Sequence, residues 1–467
     1  MNKKLFALGA VSLGIIGYLS TVAFVDKSDQ QLAMSKLSTY SQLSETSLDY
    51  RAMKVLSDNG CSYCHTPNSP MPFYANFPVA KSLMEHDVAQ GLRHFQLKPV
   101  LEQVHAQEQV SEVALAKIEG VLQDGSMPPK AYLSMHWRSD LSEEERQILL
   151  GWVAEKRLQR HANSPASVEF KREPVQPIYT QFDVDKDKVA LGKALYHDTR
   201  LSGDNTLSCA SCHRLEAGGV DHLTTSSGIK GAKGPINAPT VYNAVYNSLQ
   251  FWDGRAHNLQ EQAGGPPLNP IEMGSQDWRE IIAKLSDDST LKAQFDKVYG
   301  GLVNQATITG AISEFEKTLT TPNSRFDQYL KGDKHALTEQ ELEGYQLFKQ
   351  YKCDTCHVGE AMGGEGFEVM GLKADYFADR GQVTEVDMGR YNVTRVENDK
   401  HRFKVPTLRN VALTAPYFHD GQAETLEKAV FDMAKYQVGV ELNQQETDKI
   451  TAYLKTLTGE YNGKLLN

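Results

Sequence analysis

The chain has 467 residues, room for about three domains of ~150 residues each. Hydrophobic residues make up 40% and charged residues 23%, which excludes a disordered chain, a collagen and a polytopic membrane protein. A net charge of −10 argues against a partner nucleic acid held on a basic surface, and six cysteines are too few for a disulfide-dense scaffold.

Lys3 and Lys4 precede an uncharged stretch, 5–25, that closes at Asp26 and Lys27. As a helix at 1.5 Å per residue it spans ~30 Å, so a single-pass transmembrane anchor is expected, lysines inside and the remaining chain outside. A signal peptide cleaved at Thr21-Val22-Ala23 is the competing reading. Residues 26–47 are polar and Ser/Gln-rich, a tether in composition. Pro165, Pro174 and Pro177 mark a linker at 161–181, and Gly332 a softer boundary. Three blocks result, 48–160, 182–332 and 333–467.

The blocks share a plan. Met53-Lys54-Val55-Leu56, Leu191–Tyr196 and Gly344–Phe348 each form a short, partly apolar helical segment running into a cysteine pair. Each block closes on an amphipathic helix. In the first, Ser142 and Glu145 make a capping box ahead of Ile148, Leu149, Trp152 and Val153. In the second, Ile308, Ile312, Phe315 and Leu319 keep helical spacing, and in the third Ile450, Tyr453, Leu454 and Leu457 do so. No alternating strands with hairpin turns are evident. The fold expected is mostly α, three cytochrome c-like domains after the N-terminal helix.

The cysteines carry the chemistry. They fall in Cys61-Ser62-Tyr63-Cys64-His65, Cys209-Ala210-Ser211-Cys212-His213 and Cys353-Asp354-Thr355-Cys356-His357. C-x-x-C-H is the pattern of covalent c-type haem, with two thioethers to the porphyrin and the adjacent imidazole as proximal iron ligand. A zinc ribbon needs two pairs within ~15–20 residues, and these motifs begin more than a hundred residues apart. A thioredoxin-like pair needs no following histidine. Three haem c groups are therefore expected.

What faces each histidine decides whether the iron carries electrons or binds a small molecule. For the first haem Met127, in Met127-Pro128-Pro129, resembles the ligand loop of small monohaem cytochromes c, with Met71, Met84, Met135 and His94 as rivals. For the third, Met362, Met370, Met388, Met433, His401 and His419 stand open on spacing alone. The second block has one methionine downstream of its motif, Met273, directly after Glu272, and the histidines His222 and His257.

From about 170 to 460 the chain closely resembles the bacterial dihaem cytochrome c peroxidases, a family that includes the MauG-type enzymes. The resemblance lies in Gly234-Pro235-Ile236-Asn237-Ala238-Pro239-Thr240, Gln250-Phe251-Trp252-Asp253-Gly254-Arg255-Ala256, Val405-Pro406-Thr407-Leu408-Arg409-Asn410 and Pro416-Tyr417-Phe418-His419-Asp420-Gly421. With the extra N-terminal block, the chain looks like the trihaem, membrane-bound subgroup that includes quinol peroxidases. That likeness implies the periplasmic side of the bacterial inner membrane, hydrogen peroxide as substrate, and a quinol or small cytochrome c as donor. A homodimer, common in soluble members, is one assembly it implies.

Position by position, the resemblance makes the second haem peroxidatic and the third electron-transferring. It implies that Glu272 is the acid/base of the peroxide pocket and Gln262 its neighbour, with Pro266 and Phe251 lining it and Trp252 between the haems. Met433 matches the methionine ligand of the electron-transfer haem, where MauG-type enzymes carry tyrosine. Asn237, Thr414 and Pro416 match residues that hold a calcium ion. One departure stands out. Many members carry, after the equivalent of Gly228, a histidine that ligates the oxidised peroxidatic iron; here the residue is Ile229, and His222 is a poor substitute. A trihaem electron carrier and a MauG-like protein-modifying oxidase are the alternative functions. Ile229 and Glu272 count against the first, Met433 against the second.

Overall fold

The computed structural model describes residues 3–37, 43–180 and 182–467. They divide into two compact units, Met1–Ala162 and Asn163–Asn467.

In the first unit the segment before the cysteine motif forms a helix, Leu48–Asp58, capped by Ser47, whose side chain accepts from the Tyr50 amide. Its buried face (Ala52, Met53, Val55, Leu56) packs with Leu149, Trp152 and Val153 of the closing helix, Glu143–Arg160. Ser142 and Glu145 form the expected capping box at that helix's start. At its far end Arg157 is buried between Glu112 (2.7 Å) and Glu119 (2.8 Å).

The N-terminal stretch departs from expectation. No helix among the described residues is long and apolar enough to cross a membrane, which overturns the single-pass anchor and the inner-membrane placement built on it. Ser12, Ser20, Thr21, Gly14 and Gly17 dilute the apolar run. Nor does the helix stop at Asp26 and Lys27: it runs Lys3–Leu37, into the stretch read as a tether, of which residues 38–42 lie outside the described residues. Its second half is held by its own unit. Val22 and Val25 are buried, the Tyr74 hydroxyl donates to Asp29 Oδ1 (2.8 Å), and Arg138 pairs with Asp26 (3.5 Å).

The second unit repeats one helix crossing twice. Helix Lys186–Tyr196 meets helix Gln305–Glu316 so closely that a Cβ on Gly192 would lie 1.8 Å from the Ala311 carbonyl oxygen. Helix Glu339–Gln350 meets helix Gln444–Lys455 the same way: a Cβ on Gly344 would lie 2.0 Å from the Lys449 carbonyl oxygen. Glycine inside a helix costs about 0.5–1 kcal/mol, and here it admits a backbone contact no side chain would allow. Strand structure is slight. Phe367–Val369 pairs antiparallel with Arg402–Lys404, and Glu460–Tyr461 with Lys464–Leu465. The described part of 163–181, read as linker, packs on the unit: Phe170 and Val175 are buried in its core, and the Gln176 side-chain amide donates to the Phe170 carbonyl. At the centre Arg409 and Asp327, both fully buried, pair at 2.9 Å.

Candidate active site and haem-attachment motifs

None of the six cysteines is paired in a disulfide, and burial pushes the thiols of Cys61, Cys64, Cys209, Cys212 and Cys353 up, Cys61 and Cys209 to about 12 and Cys64 to about 11. Such protonated thiols suit thioether formation and do not suit a metal thiolate or a nucleophilic redox pair. The His65 Nδ1 lies 3.1 Å from the Phe95 carbonyl oxygen, and His357 Nδ1 3.1 Å from that of Met362. A carbonyl can only accept, so each ring carries its proton on Nδ1 and leaves Nε2 as the bare nitrogen an iron ligand requires. Burial holds all three histidines below their usual range, His357 at about 4, and so neutral. The three motifs therefore fit covalent haem.

The candidate ligands sort by their surroundings. Met362 is fully buried core, its sulfur accepting from the Tyr453 hydroxyl, and Met273 is buried among Leu201, Ile281 and Leu285. His419 is taken by Asp387 (2.8 Å), and His401 Nδ1 by the Asp387 carbonyl (2.8 Å). Met433 ends helix Leu426–Met433 against an aromatic cluster of Tyr376, Phe377, Phe403 and Tyr436, which Trp252 also joins. Met127 is half-buried in the loop after helix Glu112–Asp124.

In the second block Gln262 and Pro266 lie on one turn beside Phe251. Gln262 lies on the short helix Leu259–Ala263, whose turn continues through Gly265 into Pro266. The Gly265 amide donates to the Gln262 carbonyl (3.0 Å), and a Cβ on Gly265 would lie 3.6 Å from the Phe251 ring. Phe251 holds φ +68°, a left-handed conformation that costs about 1–3 kcal/mol outside glycine. It carries the Arg255 guanidinium 3.5 Å above its ring centre.

Glu272 is half-buried, and burial raises its carboxyl above the usual range, opposed by the Arg255 charge and an Asn269 hydrogen bond. That bond runs from Asn269 Nδ2 to Glu272 Oε1 at 2.8 Å. The Glu272 charge is felt at the Cys212 thiol. Arg255 and Asn269 were not singled out from sequence. Arg255 sat within a quoted motif, and Asn269 stands three residues before the glutamate, a spacing that could have been noticed.

The loop with the departing residue is closed onto this segment. The Ile229 amide donates to the Glu272 carbonyl (2.7 Å), its side chain is buried against Gly274, and Gly203 bonds the Met273 carbonyl (2.7 Å). His222 is exposed and engaged elsewhere, Nδ1 to the Ala415 carbonyl (2.9 Å).

Trp252 donates from Nε1 to the Asn237 carbonyl (2.9 Å) and stands edge-on to Phe403, which stacks on His419 at 4.0 Å. The same Asn237 donates Nδ2 to the Leu223 carbonyl (2.9 Å) and its amide to that of His419 (2.8 Å), three residues beyond Pro416 in the chain. The Asn237 side-chain oxygen is a donor of the kind that suits a hard cation such as calcium.

The profile described as "Di-haem cytochrome c peroxidase" matches residues 186–335, and one described as "Haem-binding domain" matches 17–155. Cytochrome c peroxidase Ccp of Escherichia coli is 50% identical over 461 residues, 99% of this chain and 98% of that protein. Cytochrome c551 peroxidase of Nitrosomonas europaea is 49% identical over 297 residues, 63% of this chain and 87% of that protein. Among solved structures, a MauG-like protein associated with microbial copper homeostasis aligns with TM-score 0.54 at 30% identity, over 61% of this chain and 93% of that one. The chain belongs to the di-haem cytochrome c peroxidase/MauG family and is a haem peroxidase.

Proposed function

We propose that the protein reduces hydrogen peroxide to water at the haem of Cys209, Cys212 and His213, fed through haems at the other two motifs, one held by His357 and Met433 and one by His65 and Met127. Haem supplies the electrons that cleave the O–O bond. The chain's part is proton handling and positioning. Glu272 takes the proton from one peroxide oxygen and returns it to the other, so that water leaves rather than hydroxide; such acid/base help is worth about 10²–10⁴ in rate. Gln262 holds peroxide or product water through its amide, and Phe251 and Pro266 limit the space around it. Trp252 serves as relay between the two haems of the second unit. Asn237, Thr414 and Pro416 hold calcium beside it.

The observation that carries this reading is Glu272 itself: a carboxylate raised by burial, fixed by Asn269 and felt at Cys212 of the motif. Ile229 stands in place of a histidine, has no group that could ligate iron, and is tied by its amide to the Glu272 carbonyl, so a haem held at the second motif would need no reductive step to open it. Methionine rather than tyrosine at 433 favours peroxide reduction over protein-modifying oxidation.

The donor is a quinol or a small cytochrome c. The test is peroxide consumption by the haem-loaded chain with a reduced quinol or a reduced cytochrome c as sole donor. Rapid turnover with either identifies the donor; none with both, in a protein whose haems dithionite reduces, overturns the proposal.

A further inference from the structure

The described residues include four buried cationic side chains, and three are neutralised. Arg157 has Glu112 and Glu119, Arg409 has Asp327 and the Glu360 and Gln176 carbonyls, and Arg402 has the Asn398 carbonyl (2.8 Å) with Asp399 at 3.9 Å. Lys404 is 6% exposed and has no acceptor or carboxylate among the described residues. Desolvation alone acts on its ammonium, pushing it down to about 8. An unpaired buried charge costs several kcal/mol, so a chain that keeps one there implies an anion that arrives with something it binds.

The strand register says where that anion is not. Lys404 stands opposite Phe367, whereas Glu368, the acid of the partner strand, stands opposite Phe403 and so on the other face. Phe403 in turn stacks on His419, so the His419–Asp387 pair also lies on that other side.

The backbone says where it is. The Lys404 amide donates to the Trp252 carbonyl (2.8 Å), and the chain then passes through Val405 to Pro406, whose carbonyl lies near enough to act on the His357 imidazole. Lys404 thus sits between the Trp252 segment and the third motif. A haem joined to that motif brings two carboxylates of its own, its propionates, and no other anion is implied at this place.

We infer that Lys404 is the cationic seat of a propionate of the haem carried by Cys353 and Cys356, beside Trp252. The inference rests on haem attachment at that motif as proposed above. The paired charge fixes the carboxylate and keeps a positive charge near that iron, which disfavours the ferric state.

The test uses the haem-loaded full chain with Lys404→Met and Lys404→Arg, read by a spectroelectrochemical titration and by resonance Raman of the propionate bending bands. Lys404→Met is expected to keep its covalent haem while the midpoint potential of this haem falls and its propionate band shifts; Lys404→Arg keeps both close to the parent. An unchanged potential and band in Lys404→Met, or changes confined to another haem, overturns the inference. So does a parent potential that follows added chloride or phosphate, since the anion would then come from solution. Should Lys404→Met not fold, Lys404→Gln carries the same expectation. Peptide mass mapping of the parent separates the two levels: no haem on Cys353 and Cys356 removes the attachment reading, whereas a loaded motif with an insensitive potential removes only the role of Lys404.

Discussion

Asn269 donates from Nδ2 to Glu272 Oε1 at 2.8 Å, within a turn where the Glu272 and Gly274 amides both return to the Asn269 carbonyl. One asparagine thus sets the position of the backbone and the direction of the carboxylate. Oε1 is engaged and Oε2 is left for a proton.

Glu272→Gln keeps the shape and the Asn269 contact but cannot carry a proton. It is expected to retain its haems and lose about 10²–10⁴ in kcat/KM for peroxide, checked by steady-state turnover beside haem content. Full activity would remove the acid/base role.

The pH profile follows from the same group. Glu272 must be ionised to accept a proton, and burial raises its pKa, so activity is present at higher pH and lost as pH falls through a value above the ordinary ~4.3. Asn269 and the Arg255 charge both oppose that rise. Asn269→Ala and Arg255→Ala should therefore each move the acid limb of kcat/KM to higher pH, and a limb that stays put argues that another group titrates there.

Ile229→His places a ligating side chain in the loop that bonds the Glu272 carbonyl. The oxidised second haem is expected to become six-coordinate and low-spin, with activity that requires prior reduction. Electron paramagnetic resonance of the oxidised protein decides it: a high-spin signal that persists overturns the account of this loop.

Asp327→Asn leaves Arg409 buried without its counter-charge. Breaking such a pair costs about 3–5 kcal/mol. Chemical unfolding of the haem-loaded protein should show it as a lower midpoint, because Arg409 also ties Glu360, Gln176 and Ser324 to one point in the core.

Local patterns were legible wherever a few adjacent residues settle the outcome. The capping box of Ser142 and Glu145 and the apolar face Leu149, Trp152, Val153 read directly from spacing, because a helix start and its buried stripe depend on residues three and four apart. The three C-x-x-C-H motifs were legible for the same reason. The fate of the N-terminal helix was not. An uncharged run suggests an anchor, yet the helix continues past it and is held there by Tyr74 and Arg138, far away in sequence.

The amino-acid sequence by itself determined a mostly helical chain with three C-x-x-C-H motifs and the family it belongs to, since these rest on short-range spacing and on long matched segments. Only the tertiary structure decided that Arg255 lies over Phe251, that the Ile229 amide closes onto the Glu272 carbonyl, and that Lys404 is a buried cation with no partner among the described residues. Each of these depends on segments distant in the chain being brought together. Desolvation, which raises Glu272 and lowers Lys404, exists only once the chain has packed around them.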